Sequence, residues 1–139
     1  MLSPFVFILQ TMNGIRKKFV PAIIWATIVF GLSTLPGIVF PKVSVDNADK
    51  AVHFTMYFIF VVCLLWSIYF NEWKNAAIKA FLIAATFGFS MEIIQLLTNS
   101  YLHRYFEWWD VAANSFGALM AAIIVELFLK GKFIFKVKK

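Results

Sequence analysis

AVHFTMYFIFVVCLLWSIYF, residues 51–70, runs for twenty positions without an Asp, Glu, Lys or Arg. Crossing the hydrocarbon core of a bilayer takes about 20 apolar residues at about 1.5 Å of rise each, so this stretch is long enough to span. Three more stretches of the same character lie around it, at 19–39, 76–98 and 109–129, and only the last two contain charge. The expected fold is all-α: an integral membrane four-helix transmembrane bundle. Pro21 falls near the first turn of the first span, where a missing N–H is harmless, and Pro36, Gly37 and Pro41 end that span. Residues 5–9 form an apolar run too short to span and suited to the interface.

The composition agrees with this reading. Of 139 residues, 62% are hydrophobic and 19% aromatic, and the mean hydropathy is +0.81. A soluble chain with so few charges would expose large apolar patches, whereas lipid accepts that surface. The single cysteine, Cys63, sits inside an apolar run, can form no internal disulfide and reads as a small hydrophobe. The net charge of +6 would suit nucleic acid if it were gathered into a patch. Instead, ten of the thirteen Lys and Arg residues border apolar runs on one side of the membrane. They are Arg16, Lys17 and Lys18, then Lys74 and Lys79, then Lys130, Lys132, Lys136, Lys138 and Lys139. Only Lys42, Lys50 and Arg104 fall on the other side. The partner is therefore the lipid bilayer, with no nucleic acid expected, and the positive-inside rule puts both termini in the cytoplasm of a multi-pass plasma-membrane protein. The first span ends in Leu-Pro-Gly rather than at a small-residue cleavage site, so it reads as an uncleaved anchor. Residues 1–18 form a cytoplasmic or interfacial segment, 19–129 the four-helix domain and 130–139 a basic cytoplasmic tail.

The ionisable residues left inside the spans converge on the outer end. Asp49, His53 and Tyr57 are spaced by four and share one face of the second helix, next to Lys50. Glu92 and Gln95 share a face of the third, with Glu92 about 9 Å below the helix end if Thr98 is its last residue. His103, Arg104 and Glu107 lie in the outer loop, and Asp110 and Asn114 open the fourth helix above Gly117 and Ala121, small residues that permit close helix approach. Each has a structural reading beside the functional one. Gln95 and Asn114 suit interhelical hydrogen bonding, Asp49 and Asp110 suit helix capping, and His103 and Glu107 read as solvated loop residues. Tyr105, Trp108 and Trp109 resemble an interfacial aromatic belt. A buried Glu92 requires a partner, with Arg104 and His53 the available cations, and of the set it has the strongest claim to function.

The series Asp49-Lys50-x-x-His53, Glu92-x-x-Gln95, Arg104 six residues before Asp110, and Asn114-x-x-Gly117 resembles the VanZ-like membrane protein family, over roughly residues 20–129. One departure is Ala121, where the family often has a second glycine. The resemblance implies a cell-envelope protein, and the founding member is associated with resistance to the glycopeptide teicoplanin.

Three function classes follow. In the first, the chain acts on or binds an anionic lipid-linked or cell-wall-related molecule at the outer leaflet. Glu92, His53 and Asp110 are then the candidate acid–base groups, and Asp49, Lys50, Gln95, Arg104 and Asn114 the candidate binding residues. A metal version would use His53, Glu92, Asp110 and His103, a nitrogen and oxygen set compatible with zinc or manganese. No spaced metal motif such as HExxH is present, so neither metal nor other cofactor is expected. In the second, the chain is a non-catalytic scaffold or partner-binding protein whose polar cluster is structural. The third, transport, needs a polar path that one chain does not display.

Overall fold

The computed structural model describes residues 4–36, 48–69, 75–102 and 105–137, with side chains for 18–36, 48–68, 75–101 and 105–129. Four helices account for nearly all of them: α1 (Pro4–Thr34), α2 (Ala48–Tyr69), α3 (Ala76–Leu102) and α4 (Trp108–Val137). There is no strand among the described residues. Three helices contain segments long and apolar enough to cross a membrane, Ala48–Ile68, Ala76–Tyr101 and Trp108–Leu129, while the apolar part of α1, Lys18–Thr34, is shorter. The chain is a multi-pass membrane protein built as an all-α bundle.

Local chemistry sets where the helices begin and end. α2 holds neither Pro nor Gly, and Asp49 in its first turn complements the positive end of the helix dipole. Asn75 precedes α3 with φ 58°, a left-handed conformation that Asn tolerates well, and its carbonyl accepts the Lys79 N–H at 3.1 Å. The Glu107 carbonyl accepts the N–H groups of Asp110 and Val111 at 3.0 and 3.3 Å and so starts α4. α1 stops at Thr34, two residues before Pro36, as the steric demand of a proline on its predecessor requires.

α1 departs from expectation at its other end. It is continuous from Pro4, so Pro21 lies well inside the helix and Pro4 takes the first-turn place expected of Pro21. The physical reason is that Arg16, Lys17 and Lys18 are good helix formers and do not interrupt the backbone. The expected first span reached residue 39, of which 37–39 lie outside the described residues. α1 and α4 run through residues 18 and 129 without a break in secondary structure.

α2 lies at the centre and packs against the other three helices. Its Val61, Leu64, Leu65 and Ile68 meet Ala77, Ala80 and Ala84 of α3, Ala118, Ala121 and Ala122 of α4, and Ala22 and Val29 of α1 in one buried cluster. Alanine on the facing helices lets the backbones approach. The approach is tightest at Gly117, where a Cβ would run into the Phe54 carbonyl of α2. The packing role expected of Gly117 and Ala121 is what the structure has, and alanine at 121, fully buried, keeps that face small.

Hydrogen bonds fix the helix directions. Trp25 Nε1 donates to the Met56 carbonyl at 2.8 Å and the Ser67 hydroxyl to the Lys18 carbonyl at 2.7 Å, so α1 and α2 are antiparallel. Gln95 Nε2 donates to the Ser33 carbonyl at 3.3 Å, bringing the C-terminal parts of α1 and α3 together. The N-terminal ends of α2 and α4 are at that same end of the bundle.

Candidate functional site

At this end the polar residues of three helices meet. Lys50 of α2 is the hub: its Nζ donates to Glu107 and Asp110 at 2.6 Å each and to Asp49 at 2.8 Å. Asp49 and Glu107 are largely exposed, whereas the Asp110 side chain is 10% exposed. Charge-assisted bonds of this length are the stronger kind, and here they join α2 to α4 and to the residue preceding it. Asp110 and Asp49 are thus committed to Lys50 in addition to any effect on their helix dipoles.

His53 lies one turn further along α2, toward the middle of the bundle. Its Nδ1 is 3.0 Å from Asn114 Oδ1, and its Nε2 is 3.7 Å from Asp110 Oδ2. Facing the amide oxygen, Nδ1 is the donor in this arrangement, and Nε2 is the ring atom turned toward Asp110.

Glu92 of α3 completes the inner group. α3 continues to Leu102, so Glu92 sits ten residues, or about 15 Å, from the helix end, deeper than the roughly 9 Å that a helix ending at Thr98 gives. It is fully buried. Oε2 accepts the Glu107 backbone N–H at 3.3 Å, while Oε1 has no hydrogen-bond partner among the described residues. One ligand-type atom from each of His53, Glu92 and Asp110 lies within 4.8 Å of the others.

The floor is aromatic. Tyr57 is buried, its ring 6.4 Å from those of Phe60 and Phe87, and Phe60 and Phe87 lie 5.3 Å apart. The Tyr57 hydroxyl and Asn114 Nδ2 also lack hydrogen-bond partners among the described residues. Three unsatisfied buried groups on three packed helices are unusual, because each costs the full desolvation of a polar atom. Around the mouth, Tyr101, Tyr105, Trp108 and Trp109 are exposed, as an interfacial belt requires.

Of the residues singled out in the sequence, Asp49, Lys50, His53, Glu92, Asp110 and Asn114 come together here. Gln95 turns instead to Ser33 on α1, which is the interhelical hydrogen-bonding role. Arg104 and His103 lie outside the described residues. Two contributors were not foreseen. Glu107, read as a solvated loop residue, both ion-pairs with Lys50 and donates its N–H to Glu92. Its place three residues before Asp110, at the start of α4, is the signal that would have found it. Gly88 is the second: a Cβ there would lie 2.9 Å from the Tyr57 ring and 3.2 Å from Asn114 Cβ, so its bareness makes room for both. It stands four residues before Glu92, on the same face of α3.

Comparison with known proteins adds one finding. The VanZ/LLP1 family model matches residues 1–129, nearly the whole chain, and the protein belongs to that family. No curated protein and no solved structure matches it.

Proposed function

We propose that this VanZ/LLP1 family member works in the plasma membrane, termini inside, on a lipid-linked or cell-wall-related molecule at the outer leaflet, and that it lowers susceptibility to teicoplanin-type glycopeptides. The observation that carries this reading is Glu92, fully buried with one carboxylate oxygen unpaired beside His53 and Asp110. A helix-packing role would be better served by Gln, which satisfies the same N–H without a buried charge. Ionisable residues retained inside a span mark function by default.

The contacts support an assignment of roles. Lys50 bonds to three carboxylates, which supports a role in ordering the mouth. Glu92 through Oε1, His53 through Nε2 and Asp110 through Oδ2 keep capacity beyond these bonds, and they are the acid–base or ligand-binding candidates. Asn114 bonds to the His53 ring, and Arg104, outside the described residues, is a further candidate cation for an anionic group.

The test is expression of wild type and Glu92→Gln at matched membrane levels in a susceptible Gram-positive host, with teicoplanin and vancomycin susceptibility measured in parallel. Protection by wild type that Glu92→Gln loses supports the proposal. Equal protection makes Glu92 structural and favours the second reading, a scaffold that alters the envelope without chemistry; no protection by wild type sinks the glycopeptide role.

A further inference from the structure

We infer that His53, Glu92 and Asp110 form a binding site for one divalent transition-metal cation, zinc being the best fit. The case rests on two carboxylate groups that share Asp110. In the outer one, Asp49, Glu107 and Asp110 each offer an oxygen within 4.8 Å of the others, and the Lys50 ammonium already stands among them as their cation. In the inner one, His53, Glu92 and Asp110 are arranged just as closely; Lys50 reaches Asp110 through Oδ1, and among the described residues no lysine or arginine ion-pairs with Glu92. The chain fills one site itself and leaves the other to something else.

Three features of the inner group suit a metal. Glu92, fully buried, presents the unpartnered Oε1. His53 turns Nε2 toward Asp110 Oδ2 at 3.7 Å, too long for a direct hydrogen bond and wide enough for a cation to draw the two together. The opposite ring nitrogen bonds to Asn114 Oδ1 at 3.0 Å, the outer hydrogen bond that fixes the tautomer of a metal-binding histidine. One imidazole nitrogen and two carboxylate oxygens make a borderline-to-hard donor set of the kind zinc and manganese take, and zinc is the tighter binder of the two. A zinc ion about 2.1 Å from each atom would draw them to about 3.4 Å apart, a contraction within reach of side-chain rotation. Three protein ligands leave a fourth position open, and in that position the ion would accept an anionic oxygen of phosphate or carboxylate type.

The sequence argued against a metal because no two ligands sit at a recognised spacing. Here each of the three ligands comes from a different helix. The site also stands apart from the glycopeptide reading: zinc binding without any effect on teicoplanin would leave it intact, and the converse would not rescue it.

The experiment is equilibrium dialysis of the tag-free full chain in detergent against Zn²⁺ alone, then Mn²⁺ alone, with metal measured by mass spectrometry. Wild type is expected to hold about one zinc per chain and to bind manganese more weakly. Glu92→Gln should lose zinc affinity by at least tenfold, and Asn114→Ala by about 10–100-fold through the freed imidazole. Asp49→Asn, which alters only the outer group, should keep it. Thermal unfolding in EDTA controls for folding, and Glu92→Gln, which removes a buried charge without changing shape, is expected to be at least as stable as wild type there. Absence of stoichiometric zinc in wild type overturns the inference, and so does zinc that survives Glu92→Gln but leaves with Asp49→Asn.

Discussion

Asp110 belongs to two carboxylate groups that the bundle completes in opposite ways. Toward the mouth, Asp49, Glu107 and Asp110 converge on Lys50, so every charge has a partner within 2.8 Å. About one turn inward, Glu92 and Asp110 face His53 with Glu92 Oε1, Tyr57 OH and Asn114 Nδ2 all unsatisfied among the described residues. The outer group closes the end of the bundle and the inner group keeps unused binding capacity. Burial sharpens the contrast, since the satisfied group includes the exposed carboxylates and the unsatisfied one the deepest. A protein selected only for stability would distribute its partners the other way round.

The most damaging way to break this comparison is to separate α2 from α4, because both groups span that contact. Gly117→Val sets a branched side chain against the Phe54 backbone, which has no rotamer to move. Overpacking against side chains typically costs 1–3 kcal/mol. Against backbone the expected loss is at least about 3 kcal/mol, read as failure to accumulate folded protein in detergent. Gly117→Ala should lose less and still be measurably weakened.

Lys50→Met breaks the outer group alone. It keeps the aliphatic stem and leaves three carboxylates facing one another. Removing one member of a fully buried pair costs about 3–5 kcal/mol, but the Asp49 and Glu107 side chains are 60% and 51% exposed. Water screens them, and the expected destabilisation is about 2 kcal/mol in thermal unfolding, with Lys50→Arg recovering most of it.

The smallest effect sharpens the boundary of the site. Gln95→Leu removes only the bond to the Ser33 carbonyl, an interhelical hydrogen bond of a class that averages about 0.6 kcal/mol in a membrane protein. Stability should fall by about that amount and teicoplanin susceptibility should not change. A phenotype as strong as that of Glu92→Gln would extend the site to Gln95.

Much of this arrangement was legible beforehand. Spacings of four placed Asp49, His53 and Tyr57 on one face and Asp110 and Asn114 on another, because a helix repeats every 3.6 residues whatever it packs against. Gly117 and Ala121 announced a close approach because small side chains are the only way for two backbones to meet. Glu107 escaped because its role depends on a side-chain partner 57 residues away in sequence, and Gly88 because the space it clears is filled from two other helices. The length of α1 escaped because apolarity was taken as the boundary of the helix, whereas basic residues continue a helix as readily as apolar ones.

The sequence by itself determined that the chain is a helical membrane protein, that its polar residues gather at one end, and which helix faces carry them. Hydropathy and helical periodicity are local properties, and each is set by neighbours within about two turns. Only the tertiary structure decided how those faces pair: that Lys50 is consumed by three carboxylates, that Gln95 turns to α1, and that Glu92 is left with an oxygen to spare. Those outcomes depend on the rotation and depth of each helix against its neighbours, and packing between helices alone fixes both.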